Sequence, residues 1–168
     1  MHSACGSEPI PKFEKVDLPL LAFRVCNFYQ RKADWKKIQI ITDFDPDCGS
    51  AWADRVAVAA VLDNLISNAL KFSENGKRIW VSVKPEPDHV VCTVREEGPG
   101  FSAEDQTRLF HKGARLSNMP TGGELSFGYG LAIAKELVEK IGGSIGCESR
   151  PGRGAAFFVR LRAFRDKR

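Results

Sequence analysis

The stretch DNLISNALKF, Asp63 to Phe72, decides how this sequence is read. It ends an apolar run yet spends two positions on asparagine, a poor helix former whose amide competes for backbone hydrogen bonds. Asn64, Asn68 and Lys71 follow one another at intervals of four and three, so at 3.6 residues per turn all three project from one side of a helix. Val58, Leu62, Leu65, Ala69 and Phe72 recur at helical spacing on a different side. The pattern predicts a helix over 55–72, with Asp54 as its N-cap and Asn75-Gly76 as its stop. Taken alone, the stretch favours a plain amphipathic helix with amides on its outer face. The rest of the chain has to decide.

Upstream, VDLPLLAFRVCNFYQRKADW (16–35) predicts one helix with Leu20, Leu21, Phe23, Val25 and Phe28 on its apolar side. KIQIITDF (37–44) predicts a strand ending in the turn DPDCGS. Downstream, RIWVSVK (78–84) and HVVCTVR (89–95) alternate around PEPD, the signature of an antiparallel hairpin. The glycine-rich stretch from Gly98 to Gly130 holds one short helical piece, AEDQTRLF, and no sustained periodicity; loops this long inside a domain are usually functional lids. YGLAIAKELVEKIGG (129–143) predicts a third helix ended by glycine, and SIGCES (144–149) and AAFFVRL (155–161) a second hairpin around RPGRG. The expected fold class is therefore α+β: a two-layer sandwich of about five mixed, mostly antiparallel strands with three helices on one face. Residues 1–15 are expected to be a tail or linker, 16–161 one domain, 101–127 a lid and 162–168 a basic tail.

Composition narrows the function classes. The 168 residues carry a net charge of +4, and RLRAFRDKR (160–168) supplies all of it, so the body is neutral and nucleic-acid binding is not expected. No apolar run approaches the ~20 residues of a membrane span, and no charged segment leads into an apolar one at the N-terminus; a cytoplasmic domain without membrane contact is expected. Cys5, Cys26, Cys48, Cys92 and Cys147 form no C-x-x-C pair, and His2, His89 and His111 are equally dispersed. Reduced thiols and no metal site built from protein ligands alone are the expectation.

Two glycine clusters bracket the irregular region: REEGPGFS at the exit of a strand and SFGYGLAIAK at the start of a helix. Glycine at a strand end lets backbone approach a ligand, and glycines before a helix open its N-terminus to phosphate. Either cluster alone could be an ordinary turn. Together, after a helix bearing Asn, Asn and Lys, they point to a nucleotide.

Here the chain resembles the ATP-binding catalytic domain of sensor histidine kinases, in the superfamily that also holds gyrase, the ninety-kilodalton heat-shock chaperone and MutL. LDNLISNALKFS resembles the family's N box, EEGPGF its first glycine box, RLFHKGAR its F box and GYGLAIAK its second glycine box. GGSIGCESRPGRGAAFFVRL resembles the closing hairpin, and the likeness runs from about Val16 to Leu161. It implies ATP and Mg²⁺ as cofactors. By this resemblance Asn68 helps hold Mg²⁺, a hard cation that wants oxygen ligands; Lys71 pairs with phosphate; Asn64 faces the same cleft; Phe72 flanks the adenine. Glu96 stands where a carboxylate receives the adenine amino group, with Gly98, Gly100 and Phe101 beside it. Gly128, Gly130 and Leu131 open the phosphate-binding helix, and Arg115 matches the F-box arginine that reaches the γ-phosphate. Lys112 is a weaker candidate, equally well read as a solvated loop charge. Gyrase-like and chaperone ATPases place a glutamate at position 64 to activate water; Asn64 cannot act as a general base, which favours phosphoryl transfer to a protein over hydrolysis.

Two positions depart from the family. Glu96 replaces the usual aspartate with a side chain one methylene longer, and Ser126 replaces a glycine at the opening of the second glycine box. No histidine fits the phosphorylated one of these kinases, so the implied partners are a histidine-containing dimerisation domain, in the same longer chain or in trans, and a response-regulator receiver domain. Two alternatives share the fold: a degenerate nucleotide-binding or protein-interaction module, and an anti-sigma-type serine kinase.

Overall fold

Asp54 shows how local sequence sets the architecture. Its carboxylate accepts hydrogen bonds from the backbone N–H of Ala57, at 3.2 Å, and of Lys12, at 2.9 Å. The first caps the helix α3 (Arg55–Phe72), a contact of about 1 kcal/mol; the second holds the incoming chain. In this computed structural model, which describes residues 9–112 and 130–166, α3 is the longest helix among the described residues. It ends as expected at Phe72, although Ser73, in extended conformation, is the C-cap and Gly76 lies in the turn beyond.

The strands β2 (Gln39–Phe44), β4 (Arg78–Pro85), β5 (His89–Glu96), β6 (Ser144–Ser149) and β7 (Ala155–Arg162) form one sheet in the order β2-β4-β5-β7-β6. Only β2 and β4 run parallel. The expected five strands and antiparallel hairpins are present, and their alternation sorts the residues. Ile79, Val81 and Val83, then Val90, Cys92 and Val94, then Phe157, Val159 and Leu161 are buried. They join one core with Val58, Leu62, Leu65 and Ala69 of α3 and with Leu131, Ala134 and Val138 of α5 (Gly130–Lys140). On the opposite face Trp80 lies between the guanidinium groups of Arg78 and Arg95, 5.1 and 4.8 Å from its ring centre.

The helix expected over 16–35 is divided. α1 (Leu18–Phe28), capped by Asp17, is followed after Tyr29 by α2 (Gln30–Trp35). The Tyr29 hydroxyl donates to Asp63 Oδ1 at 2.6 Å, pinning this junction to α3. The expected apolar side also needs correction. Leu21 and Val25 pack against the core, but the buried residues of α1 are Leu18, Ala22 and Cys26, while Leu20, Phe23 and Phe28 are exposed. Leu18, Ala22 and Cys26 sit where α1 meets its neighbours, and Leu20, Phe23 and Phe28 turn outward.

Two three-residue strands, β1 (Glu14–Val16) and β3 (Ala51–Ala53), pair antiparallel as a second sheet. They were not expected, being too short to show alternation. At this corner Phe13 stacks on Trp52, with ring centres 6.0 Å apart, and Phe164 packs on the same indole at 5.8 Å. The Phe164 N–H donates to the Ser50 carbonyl at 2.7 Å. Phe13 and Phe164, outside the expected limits of 16 and 161, thus pack on the same residue inside them. No helix among the described residues is long and apolar enough to cross a membrane.

Candidate functional site

The strand β5 ends at Glu96, between Ile79 of β4 and Ala155 of β7. Alternation turns its side chain toward the helical layer, where it is only 3% exposed. The extra methylene lets the carboxylate curl back, and Oε2 accepts a hydrogen bond from the backbone N–H of Gly98. Burial pushes the Glu96 carboxyl up to about 7, against the lowering pull of the Gly98 and Ala155 backbone N–H groups; the nearby charge of Glu97 raises it slightly further. A carboxyl group so placed holds or releases a proton near neutrality.

Gly98 has no room for a side chain. A Cβ there would strike the Glu96 carboxylate and lie 2.8 Å from the Phe72 carbonyl oxygen. The end of α3 and the exit of β5 therefore meet at Gly98. Phe101, almost fully buried, packs edge-on against Phe72 and Phe157, each 6.1 Å away, so the three rings form one aromatic cluster.

The closing hairpin holds this loop from below. Ser149 Oγ accepts from the Phe101 N–H at 2.8 Å and donates to the Gly154 carbonyl at 2.6 Å. Gln106, on α4 (Ala103–Arg108), donates to the carbonyls of Ser149 and Phe101, and the Gly152 N–H donates to the Pro99 carbonyl at 2.6 Å. Gly154, at φ +72, lies so close to Glu96 that a Cβ would overlap the Glu96 carbonyl oxygen. Sequence reasoning missed Ser149 and Gln106: a serine ending a strand and a glutamine in a short helix carry no distinguishing pattern.

Along α3, Asn64, Asn68, Lys71 and Phe72 are all partly buried. A Cβ on Gly130 would sit 3.0 Å from Asn64 Oδ1, so the amide lies against the first residue of α5. The acidic residue of α3, Asp63, is held on the Tyr29 hydroxyl, which burial and that carboxylate push up to about 12. Leu131 is buried behind Gly130. The structure thus brings Glu96, Gly98, Phe72 and Phe101 together, and Asn64 with Gly130. Gly100 is fixed against the Arg150 and Gly154 carbonyls. Lys112 is neither free nor placed in a cleft: its Nζ pairs with Glu136 Oε1 of α5 at 3.0 Å. Arg115, Gly128 and Ser126, with most of the expected lid, lie outside the described residues.

The donor set sets limits on a metal. Among the described residues no cluster of three His, Cys, Asp or Glu side chains could hold one. Asn68 offers a single amide oxygen. That fits Mg²⁺, which keeps its waters and takes phosphate oxygens with one or two protein ligands, and does not fit a cation caged by protein alone.

Comparison with known proteins identifies the family and the fold. Residues 53–165 match the family model described as histidine kinase-, DNA gyrase B-, and HSP90-like ATPase. An adaptive-response sensory kinase SasA of Prochlorococcus marinus is 38% identical over 133 residues, which cover 78% of this chain and 34% of that protein. The mycobacterial sensor histidine kinase MprB superposes with a TM-score of 0.79 at 23% identity, over 89% of this chain and 97% of that one. Full-length ShkA in complex with AMPPNP superposes with a TM-score of 0.80 at 23% identity, over 93% of this chain and 32% of that one. The chain spans about a third of the length of the curated relative described here.

Proposed function

Because the chain belongs to the histidine kinase-, DNA gyrase B- and HSP90-like ATPase family, we propose that it is the ATP-binding catalytic domain of a sensor histidine kinase. It binds Mg-ATP and passes the γ-phosphoryl group to a histidine on a dimerisation domain, for onward transfer to a receiver domain. One observation carries the choice of kinase over hydrolase. The cleft side of α3 presents Asn64 against Gly130, where a hydrolytic relative needs a carboxylate, and the neighbouring Asp63 is turned away onto Tyr29.

In this reading Glu96 accepts the adenine amino group and Phe72 and Phe101 flank the base. Gly98 and Gly100 bring the backbone close. Gly130 and Leu131 begin the helix whose N–H groups face phosphate, joined by Gly128. Lys71 and Arg115 neutralise phosphate charge, and Asn68 holds the metal, which supplies electrostatic stabilisation of the transferring group. Lys112, paired with Glu136, is not assigned to phosphate. The unit spans at least residues 16–161 and works in the cytoplasm without contact to nucleic acid or membrane.

The internal bond between Glu96 and Gly98 favours one competing reading, a pocket whose carboxylate is already satisfied and no longer serves adenine. Calorimetric titration with ATP and GTP in Mg²⁺ separates the two. A working pocket prefers ATP, loses the preference in Glu96→Ala and retains ATP in Glu96→Asp. A degenerate pocket binds no adenine nucleotide at millimolar concentration until Glu96→Asp restores the shorter side chain. Phosphoryl transfer from bound ATP to a purified histidine-containing dimerisation domain tests the kinase assignment directly.

A further inference from the structure

The outward side of α1 and α2 carries a pattern the nucleotide site does not use. Leu20, Arg24, Phe28, Arg31 and Trp35 follow one another at intervals of four, four, three and four residues. These are the three- and four-residue steps that place side chains on one side of a helix. All five are exposed, Phe28 by 78% and Trp35 by 75%. Tyr29 joins the two segments: its N–H bonds to the Val25 and Cys26 carbonyls and its own carbonyl accepts from Ala33. At 1.5 Å per residue the part of the row on α1, from Leu20 to Phe28, is about 12 Å long, and Arg31 and Trp35 extend it onto α2.

Its charges lack counterparts. Arg55, Arg78, Arg108, Arg160 and Arg165 each hold a carboxylate, but Arg24 and Arg31 make no ion pair among the described residues. The acid within these helices, Asp34, is taken by the Gln30 side chain at 2.8 Å. Two exposed aromatics and a leucine, alternating with two arginines, have the composition of an interface core rather than of a solvated face.

We propose that this row docks an acidic amphipathic helix of another protein, its apolar residues meeting Leu20, Phe28 and Trp35 and its carboxylates meeting Arg24 and Arg31. Charge decides the occupant. A second copy of this chain would set arginine against arginine along the row. A bilayer is served by cations flanking an apolar strip, whereas here they lie on its centre line.

The test uses the whole chain and a fluorescein-labelled helical peptide of about 21 residues, with leucines facing the row and glutamates between them, alongside a twin carrying lysine for glutamate. Anisotropy should show binding of the acidic peptide to the wild type and none of the basic one. Arg24→Glu with Arg31→Glu should weaken the acidic peptide about tenfold or more and confer binding of the basic one; Phe28→Ser with Trp35→Ser should weaken the acidic peptide comparably. If the reversed pair fails to fold, Arg24→Gln with Arg31→Gln should still weaken the acidic peptide, and unchanged binding there overturns the proposal too. Equal binding of both peptides, or indifference to charge reversal, overturns the proposal. So does retention on phosphatidylserine vesicles that is lost with Phe28 and Trp35 while the acidic peptide fails to bind. A dimer in sedimentation equilibrium that Trp35→Ser disperses overturns it as well.

Discussion

Glu96→Gln removes a titrating proton from the buried end of β5 while keeping an oxygen to accept the Gly98 N–H. Burial moves this carboxyl from an ordinary 4.5 to about 7. At 1.36 kcal/mol per pH unit, ionising it in the folded protein costs about 3 kcal/mol. The sign follows from proton counts. Between pH 4.5 and 7 the folded chain holds a proton that the unfolded chain has released, so stability falls as pH rises through this window. Below it both states are protonated, above it both are ionised, and the contribution is flat. Urea unfolding at several pH values, wild type minus Glu96→Gln, isolates this group because the other carboxylates cancel. The difference should drop by about 3 kcal/mol from pH 4 to pH 8, with most of the change between 5 and 7. Nucleotide adds a second readout. A carboxylate that accepts the adenine amino group binds best ionised, so ATP affinity should decline below pH 7 in the wild type, by up to about tenfold per pH unit, and stay level in Glu96→Gln. Parallel stability curves for the two proteins would refute the reasoning.

Asn68→Ala should weaken ATP by about tenfold in Mg²⁺ and little in EDTA, which titration in the two buffers reads directly. Because Asn64 offers no base, saturating Mg-ATP should turn over well below about 1 s⁻¹ in a phosphate-release assay. Gly154→Ala forces a Cβ onto the Glu96 carbonyl at φ +72, and should lower unfolding free energy in urea by about 2 kcal/mol or more. Ser149→Ala leaves the Phe101 N–H and the Gly154 carbonyl short of their shared partner; a loss of about 1–2 kcal/mol in the same assay is expected.

The sheet was legible because its strands alternate cleanly: Val81, Val83, Cys92, Val94 and Val159 point one way and are buried together. The long helix was legible because Asp54 caps it and its apolar stripe keeps one period. The inward side of α1 was not legible, because apolar residues stand nearly all round that helix. Ala22 and Cys26 occupy the core there, and Phe28 does not. At the site, glycines beside a strand end and amides on a greasy helix announced themselves. The clasp made by Ser149, Gln106 and Gly152 did not, since the bonds that close it across the loop join residues more than 40 positions apart in sequence through ordinary polar groups.

The aromatic corner at Trp52 has a practical consequence. Phe13 and Phe164 rest on one indole, so the two ends of the folded unit leave from a single place. That place adjoins His89 and Arg162, which pair with each other at one end of β5 and β7, while Glu96 and Ala155 pair at the other. Seven residues of strand separate them, about 23 Å. A fluorophore, purification handle or surface linkage attached beside Phe13 or Phe164 should therefore leave the Glu96 end open. A short linker joining the termini, with new ends cut at the PEPD turn between β4 and β5, should give a circular permutant that keeps every strand of the sheet in its present order.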